Sequence, residues 1–445
     1  MIESIILIIT LLVSIFLLRL VNGSASIRYL NGLNYIFYRQ IIVSALIGSY
    51  VISLSMEYSR WYALNWSESI RLYGFIFVCY SSVAILFTYA ILKSLFIDTK
   101  NLPKNLMVTS FSDNKINITL IQNLLFYISI FGFIYIIINS PSWPMLDVIL
   151  GNNHEALYGR ISFRNDFKGS EFIKNLVAFS GSALYFYISL SRKLIKSDGF
   201  LHLLLSTILV FLIYTYNSQK GAILNIVIGA IIILCMVRGK IPLRYFIFLS
   251  ISSIVVLFSL FSIVKGIPIS SLIESGGRLV IGRLFLGNIE GFFNSLALFP
   301  DIITDKTNLV GIPSIIQVAF FDEVQEPSKL LLMKFFDLDG IQNGTSGFIT
   351  AYFLSEAWAN YNIVGLIIAP SIVAVNLFIV DYIIYKKGKN ILTLSFYAIM
   401  YLQFQLHGEF IGFLYFKYFF FFAITTLPII IIYLTLKKIG VIKRI

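Results

Sequence analysis

Charge is the scarcest ingredient of this sequence: Asp, Glu, Lys and Arg make up 13% of 445 residues, about half the share of an ordinary globular domain. Hydrophobic residues make up 58% and mean hydropathy is +0.86. No water-soluble surface can be built from that mixture, which excludes a secreted, cytosolic or nucleic-acid-binding protein. Cysteine is nearly absent: Cys79 and Cys235 both sit in apolar runs, so neither a disulfide framework nor a cysteine metal site is expected. Only three histidines occur, without the spacing of HExxH. The phosphate loop GxxxxGK[ST] and the nucleophile elbow of serine hydrolases are also missing, which argues against ATP-driven transport and acyl-enzyme chemistry.

What is present is long apolar runs. Eleven stretches approach the length that crosses a bilayer as a helix: approximately Ile2 to Leu20, Leu33 to Ser55, Leu72 to Phe96, Ile118 to Asn139, Phe172 to Leu190, Phe200 to Tyr216, Ala222 to Val237, Tyr245 to Val264, Ile363 to Tyr385, Ile391 to Leu406 and Tyr418 to Leu436. The expected fold is therefore all-α: a polytopic integral membrane protein of about eleven transmembrane helices, one multispanning membrane domain over 1–445. The first run lacks the basic start and small-residue cleavage site of a signal peptide and is read as a retained span.

The net charge is +12, and its distribution orients the chain. Alternate short connections carry Arg19 and Arg28; Lys100, Lys104 and Lys115; Arg192, Lys193 and Lys196; Arg238, Lys240 and Arg244; Lys386, Lys387 and Lys389; and Lys437, Lys438, Lys443 and Arg444. By the positive-inside rule these face the cytoplasm, and so does the C-terminus. The two long connections, 140–171 and 265–347, then lie outside, with short helices at the membrane surface. Loops of that length in an economical chain usually carry function.

The chemistry-bearing residues fall mostly in those outer segments. The first long loop holds His154, Glu155, Arg160, Arg164, Asp166 and Lys168. Arginine forks match phosphate oxygens and stay charged near lipid, so Arg160 and Arg164 are candidates for a diphosphate clamp. The second holds Glu274, Arg278 and Arg283 among glycines and apolar residues, a second possible clamp, and Lys220 stands in the short turn from Asn217 to Gly221. A snorkelling or headgroup contact is the competing reading for each. Asp337-Leu338-Asp339 spells a DxD, read chiefly as a turn before Gly340. Glu356 lies in 346–361, expected to be an amphipathic helix leading into a late span; His407 and Glu409 flank Gly408 in the turn between the last two spans. Ionisable groups near membrane depth are costly and usually face a cavity.

The arrangement resembles the bacterial O-antigen polymerases, the Wzy type: about eleven spans, an arginine-bearing outer loop after the fourth, a long outer loop before the last three, and no cytoplasmic domain. Tyr216-Asn217-Ser218-Gln219-Lys220-Gly221 is similar to their short Ser-Arg/Lys-Gly turn, and Gly344-Thr345-Ser346-Gly347, followed by Glu356, Tyr361, Asn362 and Gly365, looks like their small-residue stretch, acid and aromatic approach to a late span. The Arg-x10-Gly spacing that some members and the related ligases carry in both long outer loops is not found from Arg160, Arg164, Arg278 or Arg283, a departure from that pattern. The resemblance implies a metal-independent glycosyltransferase of the bacterial inner membrane, without cofactor, that joins undecaprenyl-diphosphate-linked oligosaccharides serving as donor and acceptor. For that reaction, charge and position assign the diphosphate clamp to Arg160, Arg164, Lys220, Arg278 and Arg283, with Glu356 the leading base and His407 or Glu409 behind it. Lipid and a chain-length regulator are the further partners it admits, and nucleic acid is not one. An O-antigen ligase, or a flippase for lipid-linked sugars, is the alternative.

Overall fold

The computed structural model describes residues 2–55, 66–97, 106–112, 117–217, 220–241, 247, 251, 282–305, 307–310, 312, 314–321, 324–343, 346 and 348–438. These are overwhelmingly helical, and no named strand occurs among them. Lipid offers no partner for an exposed peptide group, so each apolar run satisfies its backbone within a helix.

Seven described helices are long and apolar enough to cross a membrane: Ile2–Asn22, Gly32–Ser53, Glu68–Phe96, Ile118–Asn139, Gly221–Arg238, Leu354–Lys387 and Lys417–Thr435. Two shorter apolar helices, Phe200–Thr215 and Ile391–Gln403, fall below that length. The 171–196 run is a π segment, Lys174–Ser180, continued by the α-helix Gly181–Lys196. Of the eleven expected spans, seven are helices of full length among the described residues, and the 245–264 run lies outside the described residues except at Ile247 and Ile251. A second difference concerns 346–361. The helix begins only at Leu354, and 348–353 is not helical.

Local signals set the helix ends. Ser67, Asn117 and Asn390 accept hydrogen bonds from the backbone of Ile70, Leu120 and Thr393, capping the helices that follow. Ser197 and Gly199, both at positive φ, make the tight turn between 181–196 and 200–215.

The helices form two packed groups. In one, the 68–96 helix lies against 2–22, 47–53 and 354–387, burying Gly74, Val78, Cys79, Ser82, Ile85, Leu86 and Tyr89 at helical spacing. In the other, 181–196 packs against 118–139, 200–215 and 220–238. The 391–403 helix joins the groups by burying two faces. Leu394, Tyr397, Met400 and Tyr401 enter the first core, and Ile391, Ala398 and Ile399 the second. Large apolar side chains cover the outside, such as Ile8, Leu12 and Phe16 on the first helix and Phe420, Leu427 and Ile431 on the last, as a lipid-facing surface requires.

Connections that the charge pattern grouped do share one end. The Ile241 amide donates to the Arg28 carbonyl at 3.0 Å, and buried Lys389 donates to the carbonyls of Met107 and Met236 at 2.8 and 3.0 Å. The Asn117 amide, at the start of 118–139, donates to the Tyr433 hydroxyl near the end of the last helix at 3.3 Å. The opposite end carries both long connections. There the first long loop forms two short helices, Pro144–Ile149 and Asn153–Asn165, and the second forms Glu290–Leu298, Ser314–Phe321, Ser328–Phe336 and Leu338–Gln342.

Candidate active site

At the loop-rich end two stretches of non-helical backbone meet. The 391–403 helix has 13 residues and is about 20 Å long, short of the roughly 30 Å hydrocarbon core, so 404–409 leaves helical geometry early. Backbone groups there need partners from protein. Gln40, buried within the 32–53 helix, supplies two, donating to the Phe404 carbonyl at 2.9 Å and accepting from the Leu406 amide at 2.6 Å. The Leu406 carbonyl in turn accepts from the Phe353 amide at 2.7 Å.

The 354–387 helix is interrupted at Asn362, where φ is 49° and ψ −138°. Asparagine tolerates positive φ better than most residues. Gly365 makes room for the break: a Cβ there would lie 2.1 Å from the Ala357 carbonyl oxygen. The segment before the break is clasped by the second long loop. Ser295 Oγ donates to the Ser355 carbonyl at 3.0 Å, Trp358 Nε1 to the Phe299 carbonyl at 2.9 Å, and Thr307 Oγ1 to Asn360 Oδ1 at 2.6 Å.

Glu356 projects from this clasped segment and is 2% exposed. Its Oε2 accepts the Ile411 amide at 3.0 Å, while Oε1 is buried with no partner among the described residues. A buried polar atom left without a partner costs about 1–3 kcal/mol, so such an atom marks a place where a ligand or proton can be accommodated. Glu409 differs. Lys329 Nζ lies 2.8 Å from one of its oxygens and Lys417 Nζ 3.0 Å from the other. Burial pushes the Glu409 carboxyl up, but the two ammonium groups outweigh it and hold it down at about 2. Glu356 lies within electrostatic reach of all three groups.

His407 stands beside Tyr352, with ring centroids 6.0 Å apart. Neither ring nitrogen completes a regular hydrogen bond among the described residues, although the Asn288 backbone lies toward it. Burial, reinforced by the nearby charge of Arg39, pushes this imidazole down to about 3, so it is neutral at physiological pH.

Of the candidates read from sequence, the structure therefore brings Glu356, Glu409 and the 404–409 turn holding His407 into one assembly. Arg160 lies on the 153–165 helix, whose Phe163 packs with Ile136, Ala178, Ile213 and Tyr216. Arg164 and Lys220 are placed by backbone only, on the 153–165 helix and at the start of 220–238, and Arg283 lies in the π turn Gly282–Leu286. Gly48 lets that turn approach the 32–53 helix, because a Cβ there would meet the Phe285 carbonyl at 2.1 Å. Arg278 lies outside the described residues. Asp337 of the DxD caps the 338–342 helix, accepting from the Gly340 amide at 3.0 Å and from the Ser346 hydroxyl, in keeping with the turn reading.

Sequence reasoning missed Lys329, Lys417 and Arg39. The lysines give no local signal, since their shared carboxylate is known only once the chain is folded. Arg39 does give one: it is a lone charge inside an apolar run. The same holds for Asp381, which sits fully inside its helix and accepts hydroxyls from Tyr89 and, at 2.6 Å, Tyr401. That network ties three helices together. Comparison with family models, with curated proteins and with solved structures finds no match to this chain.

Proposed function

We propose that this protein polymerises undecaprenyl-diphosphate-linked oligosaccharide repeat units into a surface polysaccharide such as O-antigen, working at the outer face of the bacterial inner membrane with its basic end and C-terminus in the cytoplasm. The observation that supports this reading is a carboxyl, Glu356, with one oxygen unpartnered among the described residues, set beside a carboxylate spanned by two lysines at the loop-rich end of an apolar helical bundle.

The reaction needs a base, a cationic field for the leaving group and an apolar surround for prenyl chains. The acceptor hydroxyl oxygen bonds to the anomeric carbon of the donor while the bond from that carbon to the diphosphate oxygen breaks. The hydroxyl proton passes to Glu356 Oε1, and the electron pair departs on the diphosphate. Lys329 and Lys417, with N–H groups beyond those spent on Glu409, offset that charge together with arginines of the long loops. A single displacement of this kind inverts the anomeric centre.

The interrupted backbone at Asn362 and at 404–409 is the observation that favours the transporter alternative, since broken helices also hold transported ligands. A gel of surface lipopolysaccharide from a deletion strain separates the readings. Collapse of the ladder to core plus one repeat supports polymerisation. Loss of every capped form points to ligase or flippase, and an unchanged ladder rejects all three.

A further inference from the structure

Arg39 takes no part in the chemistry above, yet it is a lone charge inside an apolar run. It is the eighth residue of the apolar Gly32–Ser53 helix and is exposed. No carboxylate pairs with it among the described residues. Its Nη1 donates to the Tyr35 hydroxyl and, at 3.1 Å, to Asn225 Oδ1, and its guanidinium stands 5.4 Å from the centre of the Tyr35 ring. Those bonds fix the plane and leave the Nε and Nη2 edge without a hydrogen bond among the described residues. An arginine at membrane depth with an open edge calls for an anion.

Asn225 also lines a cavity of about 430 Å³ at the loop-rich end, walled by Ser180, Tyr187, Tyr214, Gln403 and Gln405, with no acid among the described residues of its wall. The volume is that of a small-molecule pocket. Gln403 Oε1 is buried there without a hydrogen-bond partner among the described residues. Amides and hydroxyls without charge match a neutral ligand rich in hydroxyl groups. Around Arg39 and Asn225 the same two helices expose Val43, Leu224 and Val227 to the apolar surround, a surface that suits a hydrocarbon chain.

We infer that this cavity, with Arg39 beside it, binds the head of a lipid-linked saccharide: the arginine edge takes the diphosphate, the amides and tyrosines take the first sugar, and the prenyl chain lies along the exposed apolar residues. This deepens the glycosyl-transfer reading and rests on it for the identity of the ligand. It places a diphosphate contact within the membrane-spanning bundle and not only in the long loops.

The experiment measures binding of two synthetic probes, a prenyl diphosphate and the same lipid carrying one hexose, to purified full-length protein in phosphatidylcholine nanodiscs. Arg39→Gln should weaken both probes by about 10-fold or more, as expected for loss of a charge-assisted pair, and Arg39→Lys should recover part of that loss. Ala222→Phe fills the cavity from its wall and leaves the guanidinium in place; it should remove the affinity gained from the hexose and spare the bare diphosphate. Equal affinities for wild type, Arg39→Gln and Ala222→Phe would overturn the assignment. So would displacement of both probes by phosphatidylglycerol at equal concentration, which would make the site a general phospholipid headgroup contact. If Arg39→Gln does not fold, Arg39→Lys and Ala222→Phe decide the matter by the same comparison. Retained, Arg39-dependent binding in a protein whose deletion leaves the polysaccharide ladder unchanged would keep the site and discard the reaction.

Discussion

Lys329 Nζ lies 2.8 Å from Glu409 Oε1, joining a helix of the second long loop to the turn between the last helices, eighty residues further along the chain. Lys417 holds the other oxygen at 3.0 Å. The loop is therefore tethered by charge at the place where Glu356 is buried, and the tether depends on pH. Glu409 has its carboxyl lowered from 4.5 to about 2, so in that interval the unfolded chain binds a proton that the native one refuses. The stabilisation is complete above about 4.5 and fades as pH falls toward 2. Melting of the purified protein between pH 6 and pH 3 should fall for wild type and fall less for Glu409→Gln. At pH 7 the variant should be less stable by about 1–3 kcal/mol, below the cost of breaking a fully buried pair because both lysines keep some exposure.

Glu356→Gln keeps the shape of the side chain and an oxygen for the Ile411 amide, but it cannot take a proton. Polymer formation in cells should drop by about 100-fold or more, leaving single-repeat-capped lipid A, while the purified variant melts close to wild type. Normal long chains from the variant would remove Glu356 as the base.

His407 is held neutral by burial, with its ionisation lowered from 6.5 to about 3. Between those values the unfolded chain gains a proton that the folded one lacks, so stability falls as pH drops below about 6.5. His407→Asn should flatten the melting profile between pH 6.5 and 5, a window above the one that Glu409 governs. It should cost less polymer than Glu356→Gln, and the reverse order on a lipopolysaccharide gel would move the base to the imidazole.

Asn362 holds a positive φ within an otherwise continuous helix. Glycine adopts that conformation without the Cβ penalty, so Asn362→Gly should be neutral or raise the melting temperature. Asn362→Val adds a branched Cβ where positive φ is disfavoured and should destabilise by about 1–3 kcal/mol. Equal melting temperatures for the two variants would show that the break carries no strain.

Seven of the spans were legible because apolar length is a property of consecutive residues, and the basic connections were legible as one set because charges near helix ends repeat along the chain. The structure puts several of those connections in contact around Lys389 and Arg28. Glu356, His407 and Glu409 could be picked out for a similar reason: ionisable groups in apolar surroundings stand out in one dimension.

Tertiary packing alone decided what those groups are. Glu356 and Glu409 are the same residue type, yet one has an oxygen with no partner among the described residues and the other is spanned by lysines from two different elements. Gln40 holds the 404–409 turn from a helix more than 350 residues earlier, and Arg39 reaches Asn225 across two helices. Apolar run length and loop charge are set by neighbours in sequence. The state of a buried carboxyl or guanidinium depends on desolvation and on which charges close packing brings within a few ångströms, and that depends on how helices distant in the chain come to lie side by side.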